Sequence, residues 1–202
     1  MLWYHGPMFI IQPCAAGCGR PAITGSKLCA IHAANPGREA ERIMELITGG
    51  DIVKDLSAPL LHFESADFSR RRFYGCNFSG ASFSMCLFTG AVMRMCFFDF
   101  SNFANCDFSR SDLQFLSFGG SNFRDCTFEG SELVHINYGG TVILDTTFSN
   151  SNLYNSRFIG AGIEHTDFVD CNVKRVSFIR TRQEGVSFKS SNTAEAIFEM
   201  GE

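Results

Sequence analysis

The 202-residue chain lacks the features that mark several large classes of protein. It has no run of about 18 apolar residues, the length that a membrane-spanning helix needs. Its net charge is −4, so no overall basic field attracts it to nucleic acid or to a membrane surface. The apolar start, MLWYHGPMFIIQP, has no Lys or Arg and contains Pro7, which argues against a signal peptide and favours a buried segment.

Signs of secretion are also lacking, although the chain has nine cysteines. An odd number cannot pair completely into disulfides, and nothing else in the sequence indicates export. A reducing cytoplasm, in which thiols stay free or bind metal, is therefore the expected location. Cys86, Cys106 and Cys126 recur at intervals of 20 residues and are interpreted as small buried side chains.

What the chain has in excess is phenylalanine, 22 residues of it, placed with a fixed period. Of the 28 positions ending in 3 or 8 between Phe63 and Phe198, 26 carry a large apolar residue and 18 carry Phe. The residue two places earlier is small in 24 of the 28 cases. A period of five fits neither a helix nor a single long strand. It indicates short extended pieces joined by tight turns, with one large and one small residue pointing inward in each.

Four such pieces close a square, which makes a coil of 20 residues. The sequence supports this larger period, because Phe occupies every twentieth position from Phe68 to Phe188. Coils stacked as parallel strands lie about 4.8 Å apart. We therefore predict an all-β protein, a quadrilateral parallel β-helix of about seven coils that begins near residue 51. Arg71 in a small inward position predicts an irregular first coil, and Gln183 and Thr193 in anchor positions predict an irregular last coil.

The stretch SNFANCDFSRSDLQF resembles the repeats of the pentapeptide repeat family, whose consensus is A(D/N)LXX. The resemblance extends over about residues 61 to 198. It implies a right-handed quadrilateral β-helix with ladders of Phe or Leu inside. Fluoroquinolone-resistance members of this family act as DNA mimics on type II topoisomerases, and members with bare C-termini often dimerise coil to coil.

A second motif precedes the repeats. Cys14, Cys18, Cys29 and His32 have the spacing C-x3-C-x10-C-x2-H, and three thiolates with one imidazole make a complete tetrahedral Zn²⁺ set. The phrase GCGRPA…KLCAIH resembles small Cys3His zinc motifs of bacterial and phage proteins. A closed set of four ligands leaves no open position for catalysis, so we predict a structural zinc ion. The alternative is four unrelated residues, such as a buried cysteine pair and a surface histidine.

A helix is predicted directly after this motif. Asn35 is a suitable N-cap with Pro36 at the first helical position, and Ala40, Ile43 and Ile47 make an apolar stripe. Because a β-helix exposes strand edges at its ends, the stripe is expected to cover the first coil. The predicted organisation is a zinc-binding and helical cap over residues 1–50 and a repeat region over residues 51–202.

No grouping of side chains in the sequence predicts catalysis. The glycines follow the turn positions of the repeat and do not form a phosphate-binding loop. His135 and His165 fall in outward turn positions on different faces, and Asp125 and Asp145 are interpreted as part of a solvated acidic surface. We predict a protein that is not an enzyme and has no small-molecule substrate.

Charges projected onto the 20-residue coil define an acidic side, the corner that holds residues 64–70 and their equivalents in later coils. It carries four bases and the following ten acids: Glu64, Asp67, Asp107, Asp125, Glu129, Asp145, Glu164, Asp167, Asp170 and Glu184. We interpret Asp107, Asp125, Glu129, Asp145 and Asp167 as partner-binding residues.

A second side presents an apolar stripe, which consists of Tyr74, Met95, Phe115, Val134 and Tyr154. A vertical row of exposed apolar residues suggests a contact surface for a partner. Packing of these turn residues on one another explains the row equally well.

These features predict a protein-interaction rod, a scaffold or regulator of a protein partner. One alternative, drawn from the family resemblance, is a DNA mimic that modulates gyrase or a related topoisomerase. Another is direct nucleic-acid binding through the zinc motif, which Arg20, Lys27, Arg38 and Arg42 favour slightly and three nearby glutamates oppose. A homodimer joined through the final coil, near residues 178–200, is also predicted, because no helix follows the last repeat.

Overall fold

The structure, a computed structural model, describes residues 12–199. The expected burial of the N-terminal segment concerns residues that are mostly outside this range. The same holds for the alternative to the predicted dimer, a single chain whose tail, Met200 to Glu202, folds across the last coil. Within it, one helix, α1 (Pro36–Thr48), precedes twelve strands of three residues each and a short 3-10 helix (Thr193–Glu195). The strands are β1 (Ile52–Lys54), β2 (His62–Glu64), β3 (Arg72–Tyr74), β4 (Ser82–Ser84), β5 (Val92–Arg94), β6 (Asn102–Ala104), β7 (Asp112–Gln114), β8 (Asn122–Arg124), β9 (Glu132–Val134), β10 (Val142–Leu144), β11 (Gly162–Glu164) and β12 (Arg182–Glu184).

These strands stack into a β-helix with four sides. The wide sheet has the order β12-β11-β10-β8-β6-β4-β2, and the narrow sheet opposite has the order β1-β3-β5-β7-β9. Every pairing between these strands is parallel and joins residues one coil apart, such as Phe83 with Phe103. The other two sides are ladders of single bridges. We name them the Asp67 side (Asp67↔Leu87↔Asp107) and the Ser57 side (Ser57↔Asn77↔Phe97). The 20-residue coil predicted from the sequence is confirmed.

The interior is filled by stacked aromatic rings. Along the column from Phe68 to Phe188, successive ring centroids lie 4.4 to 5.1 Å apart and the planes are within 11° of parallel. A second column contains Tyr138, and a third runs from Phe63 to Phe123. Stacking at one coil spacing is possible because parallel in-register strands place equivalent side chains directly above each other. The rings of all three columns between residues 68 and 178 are almost completely buried.

A left-handed residue stands at every corner of the β-helix. All 28 positions ending in 0 or 5 from residue 55 to residue 190 have a φ between 45° and 71°, and 20 of them are not glycine. This conformation is less favourable for an L-residue by about 1–2 kcal/mol. The fold therefore imposes the corner conformation even on Met95, Phe100 and Arg110, because the alternative is to lose the stacked core.

Cysteines fill small inward positions of the coils. Cys86, Cys106 and Cys126 are buried, free thiols that lie 3.4 to 3.7 Å from carbonyl oxygens of the preceding coil. The interpretation of this column as small buried side chains is confirmed. A disulfide is not formed by any of the nine cysteines, all of which fall within the described residues.

The two predicted irregularities have different outcomes. The first coil is regular, contrary to our expectation, because Arg71 turns its guanidinium to the end of the rod and donates to the Gly50 carbonyl at 3.0 Å. The last coil is irregular as predicted. Thr193 begins the 3-10 helix and leaves the column of anchors, whereas Gln183 in β12 stays in register with Ile163 but is exposed.

The helix covers the first coil. Asn35 caps α1 by accepting from the Arg38 amide at 3.1 Å, with Pro36 in the first turn, as the sequence predicts. Ala40, Ile43 and Ile47 are buried in one continuous core with Val53 and the aromatic columns. The predicted division between residues 50 and 51 falls between α1 and β1. None of the helices within residues 12–199 has the length and apolarity to cross a bilayer.

Candidate metal centre and interaction surfaces

The four predicted metal ligands come together in a small knuckle. Its first part is a loop closed by an antiparallel bridge between Pro13 and Pro21, in which Gly17 and Gly19 both have a φ of 74°. The Cys29 carbonyl accepts from the amides of His32 and Ala33, and this turn presents Cys29 and His32 together. The ligand atoms of Cys14, Cys18, Cys29 and His32 all lie within 4.8 Å of one another.

The separations between these atoms fit a tetrahedral ion. The Cys18 and Cys29 sulfurs are 3.7 Å apart, and His32 Nδ1 lies 3.5 Å from the sulfurs of both Cys14 and Cys29. Zinc bond lengths of about 2.3 Å to sulfur and about 2.0 Å to nitrogen imply about 3.8 Å between two sulfurs and about 3.5 Å between sulfur and nitrogen. This cluster can therefore hold a metal ion with four protein ligands.

The local electrostatics favour thiolates at two of the ligands. A hydrogen bond from the Arg20 backbone amide lowers the pKa of Cys18 to about 6. The Cys29 amide, whose nitrogen lies 3.4 Å from the Cys14 sulfur, lowers the pKa of Cys14 in the same way. Burial raises the pKa of Cys29. Because metal ligands must be deprotonated, the backbone of the knuckle prepares Cys14 and Cys18 to bind a cation.

The knuckle is attached to the Ser57 side of the rod. The Thr24 amide donates to the Ser57 carbonyl at 2.8 Å, and the Ser57 amide donates to Thr24 Oγ1 at 2.7 Å. Ser57 Oγ also donates to the Ala22 carbonyl at 2.7 Å. Through these three bonds, residues 22–24 lie along the Ser57 side at the edge of the first coil. They fix the position of the knuckle relative to the rod.

The acidic side predicted from the sequence has most of its exposed carboxylates on the later coils. Asp125, Glu129, Asp145 and Asp167 are exposed, and Asp107 is half-buried. Asp125 and Asp145 occupy the same corner on successive coils, and Asp145 Oδ1 lies 3.6 Å from His165 Nδ1. Within residues 12–199, Asp125 and Asp167 have no ion-pair partner inside 4 Å. Their charges are therefore available to a partner.

Two acids of this surface also serve the fold. Asp67 accepts from the Ser69 amide at 2.8 Å, and hydrogen bonds from Ser69 lower the pKa of Asp67. Burial tends to raise the pKa of Asp107, but hydrogen bonds from Ser109 and Thr89 outweigh it and bring that pKa below its ordinary value. Both carboxylates hold the turn that follows them, as Asx turns do, and remain charged.

The apolar stripe is partly packed against itself. Phe115 stacks on His135 with ring centroids 4.8 Å apart, and the Tyr154 ring meets His135 edge-on at 6.0 Å. Met95 and Phe115 are exposed, whereas Tyr74, Val134 and Tyr154 are half-buried. Lateral packing, one of the two interpretations of the sequence, therefore accounts for the part of the stripe that contains Phe115 and Tyr154.

A neighbouring group of exposed apolar residues was missed by the sequence analysis. Phe97 lies on the Ser57 side and Phe100 at its corner, with exposed fractions of 38% and 74%. The sequence analysis looked for exposed apolar residues only on the side of the coil next to the narrow sheet. Applying the same 20-residue projection to the adjacent side finds both residues next to Met95.

Fold and repeat together define a right-handed quadrilateral β-helix of about seven coils. The family model described as Pentapeptide repeats matches residues 62–94 and 96–130 in eight copies. These residues are pentapeptide repeats, as the sequence resemblance predicted. No curated protein matches the sequence.

The solved structures to which the chain is similar include two pentapeptide repeat proteins and a fluoroquinolone resistance protein. QnrB1, a plasmid-mediated fluoroquinolone resistance protein, is 14% identical with a TM-score of 0.45, over 69% of this chain and 81% of that one. HetL, involved in heterocyst differentiation regulation in the cyanobacterium Nostoc sp. strain PCC 7120, is 11% identical with a TM-score of 0.34, over 78% and 95%. A thylakoid-lumen protein of Arabidopsis thaliana is 19% identical with a TM-score of 0.25, over 63% and 72%.

Proposed function

We propose that this protein is a non-catalytic rod that binds a protein partner through its acidic side. The observation that carries the proposal is the row of exposed carboxylates on successive coils, in particular Asp125 and Asp167, which have no ion-pair partner among the described residues. A rigid β-helix holds such charges at fixed spacing, so a partner with a complementary basic surface binds without ordering the rod first. Charge complementarity of this kind contributes mostly to specificity and to the rate of association.

Affinity capture with paired variants tests this proposal. Full-length protein is used as bait in the native lysate, beside the double variant Asp125→Asn/Asp167→Asn and the control Glu132→Gln/Glu199→Gln, which removes the same charge elsewhere. We expect the first variant to lose the main captured protein and the control to retain it. Equal capture by all three baits would contradict the acidic side as the binding surface.

A DNA mimic that acts on a topoisomerase is the second candidate function. The favouring observation is that the carboxylates follow the rod axis as a row, in the manner of the phosphates of a duplex. In a supercoiling assay with gyrase, this candidate predicts inhibition by the wild-type protein and weaker inhibition by Asp125→Asn/Asp167→Asn. Capture of an unrelated partner together with no effect on gyrase would leave the general interaction proposal standing and exclude this one.

Direct binding of nucleic acid through the knuckle has less support. Arg42, one of the four basic residues that favoured it, forms an ion pair with Glu39 at 2.7 Å and donates to the Thr24 carbonyl. This arginine is therefore occupied within the cap. We expect no retention on a DNA column at moderate salt, since phosphate contacts are the salt-sensitive term in such binding.

We further propose that the knuckle binds one structural zinc ion through Cys14, Cys18, Cys29 and His32. The closeness of the four ligand atoms supports it, together with the three separations of 3.5, 3.7 and 3.5 Å that match tetrahedral values. Bound zinc would hold the knuckle against the first coil and leave the folded rod largely unchanged, because the rod has its own core. Elemental analysis is expected to find one zinc per chain, and hydrogen exchange after chelation is expected to rise over residues 12–34 with little change in the rod. Metal-free protein from zinc-supplemented cells would contradict this assignment.

A homodimer through the final coil is proposed as the working assembly. Ile197 and Phe198 are 46% and 37% exposed, and β12 is the last strand of the wide sheet. Two open ends that meet about a two-fold axis would cover both features. Light scattering at micromolar concentration is expected to give twice the chain mass of 22.4 kDa. Phe198→Asp should return it to the single value.

A further inference from the structure

The later coils carry opposite charges on opposite sides. Over residues 134–140, 154–160 and 174–180, the Ser57 side and its two corners contain no Asp or Glu and the following bases: Arg157, Lys174, Arg175 and Arg180. The Asp67 side of the same coils, residues 144–150, 164–170 and 184–190, contains one base, Lys189, and the following acids: Asp145, Glu164, Asp167, Asp170 and Glu184. The rod is therefore positive on one side and negative on the other at the same height.

The positive side is exposed and only partly neutralised by the chain itself. All four of its bases are exposed. Lys174 Nζ forms an ion pair with Glu195 Oε2 at 2.7 Å. Within residues 12–199, no carboxylate oxygen lies within 4 Å of a guanidinium nitrogen of Arg157, Arg175 or Arg180. Their charges can therefore meet carboxylates of another molecule.

Two of these arginines belong to one continuous surface. Arg157 lies in the middle of the Ser57 side, and its neighbour in the next coil is Ser177. Arg175 stands at the corner of that next coil, and its Nη1 donates to Tyr154 Oη at 3.4 Å. Because Tyr154 lies in the same coil as Arg157, this bond turns the Arg175 guanidinium toward that coil.

An exposed apolar side chain completes the surface. Ile159 follows Arg157 on the Ser57 side and is 41% exposed. Beside it, Gly140 and Gly160 occupy one corner on successive coils, and an added Cβ at either would meet nothing within 4 Å. A partner can therefore approach the backbone of this corner closely. We name Arg157, Ile159 and Arg175 the Arg157 surface.

The limits of the positive side indicate the size of its partner. Its three coils span only about 10 Å along the rod axis. Glu195 and Glu199 follow on the same side toward the open end, and Asp99 lies on it nearer to the first coil. A long polyanion that followed the axis would meet these carboxylates, and it would place only about three phosphates of a strand against the bases. A short acidic segment avoids both problems, and the fork of an arginine matches the geometry of a carboxylate.

We propose that the Arg157 surface is a second interaction surface, which binds a short acidic segment of a partner protein. Carboxylates of the segment pair with Arg157 and Arg175, and an apolar side chain between them packs on Ile159. Both arginines lie outside residues 178–200, the proposed dimer contact, so the surface stays open in a dimer. The rod can then hold an acidic partner on one side and a basic partner on the other. This proposal does not require that the acidic side binds anything.

A defined peptide tests this surface. The probe is Glu-Glu-Leu-Glu-Glu with an uncharged fluorophore, titrated with full-length protein and followed by fluorescence anisotropy at low ionic strength. We expect saturable binding that high salt abolishes, since exposed ion pairs are screened. Arg157→Gln/Arg175→Gln should weaken it about tenfold, the combined value of two exposed ion pairs. The control Arg70→Gln/Arg110→Gln removes the same charge from two exposed corner arginines elsewhere and should bind as the wild type does.

Four results would overturn the proposal. They are no saturable binding by the wild type, equal weakening in both arginine variants, equal binding of the peptide Gln-Gln-Leu-Gln-Gln, and tighter binding of a single-stranded oligonucleotide of the same charge. Association into species larger than a dimer that Arg157→Gln/Arg175→Gln abolishes would assign the surface to a second copy of the chain instead. Circular dichroism melts confirm that both variants are folded.

The acidic side is tested separately in the same titration. Asp125→Asn/Asp167→Asn should bind the peptide at least as well as the wild type, because these carboxylates lie away from the Arg157 surface. Loss of peptide binding in this variant would contradict two independent surfaces. Failure of the lysate capture experiment would leave the peptide result unaffected.

Discussion

The two ends of the rod are finished differently, although the coils between them are alike. At the first coil, α1 buries Ile43 and Ile47 completely, and Arg71 bonds the Gly50 carbonyl. At the last coil, Phe198 stays 37% exposed, and Gln183, in register with Ile163, is exposed as well. The repeat thus determines the interior, whereas each end depends on residues that break the repeat. Stability should accordingly be greatest in the middle, intermediate under the helix and least at the last coil.

The largest effect is expected in the middle of the rod. Phe108 is fully buried between Phe88 and Phe128, at centroid distances of 4.4 and 4.6 Å. Phe108→Ala should lower the free energy of unfolding by about 3–5 kcal/mol, since the stacked neighbours cannot collapse into the cavity. Denaturant melts measure this loss, and Ser109→Ala, an adjacent outward change, should cost a small fraction of it. Equal losses would mean that the anchor positions do not carry the core.

The second-largest loss of stability is expected under the helix, and it can be compared directly with the loss at the last coil. Ile43→Ala under the helix should cost about 2–4 kcal/mol, because the side chain is completely buried. Phe198→Ala at the open end should cost only about 1 kcal/mol despite removing a larger side chain, because that ring is already partly exposed. The comparison is best made at protein concentrations low enough to favour single chains. A larger loss for Phe198→Ala under those conditions would reverse the assignment of the weak end.

A gain in stability is expected from one core position. Tyr138 is fully buried in an aromatic column, and its hydroxyl has no hydrogen-bond partner among residues 12–199. Burial also raises the pKa of Tyr138 well above its ordinary value, so the group stays neutral. Tyr138→Phe keeps the stacking and removes the unsatisfied group, which should raise the free energy of unfolding by about 1–2 kcal/mol. Tyr154→Phe, a half-buried surface change, serves as the control in the same melts.

The smallest predicted effect is a repair of the open end. Gln183 follows Ile163 in register but is exposed. Gln183→Ile should pack onto Ile163 and stabilise the last coil by about 1 kcal/mol, the value of partial burial of such a side chain. Glu184→Ile, which adds the same side chain on the outward face, should bring no gain. If both variants melt alike, the irregular last coil has a cause other than the missing anchor.

The sequence predicted most of the fold and the cluster of metal ligands, for physical reasons that lie in the residues themselves. A large apolar residue at every fifth position indicates which side chains point inward. The spacing of Cys14, Cys18, Cys29 and His32 indicates a local loop that can bring the four side chains together. The left-handed corners at Met95 or Phe100 could not be read in this way, because those residue types avoid that conformation and only the stacked core imposes it. The bonds between Thr24 and Ser57 were likewise hidden, since they join positions 33 residues apart with no pattern in common.

The regular corners have a consequence for how such a rod can change in length. An added block of 20 residues lengthens the rod by one coil and keeps every downstream side chain on its original face. An added block of five also preserves the inward pattern, yet it turns everything downstream by a quarter of a revolution. Asp145 and Asp167 would then face a different direction from Asp107, while the interior remained sound. Insertions in multiples of five residues therefore preserve the core, but only insertions in multiples of 20 also preserve the surface that is presented to a partner.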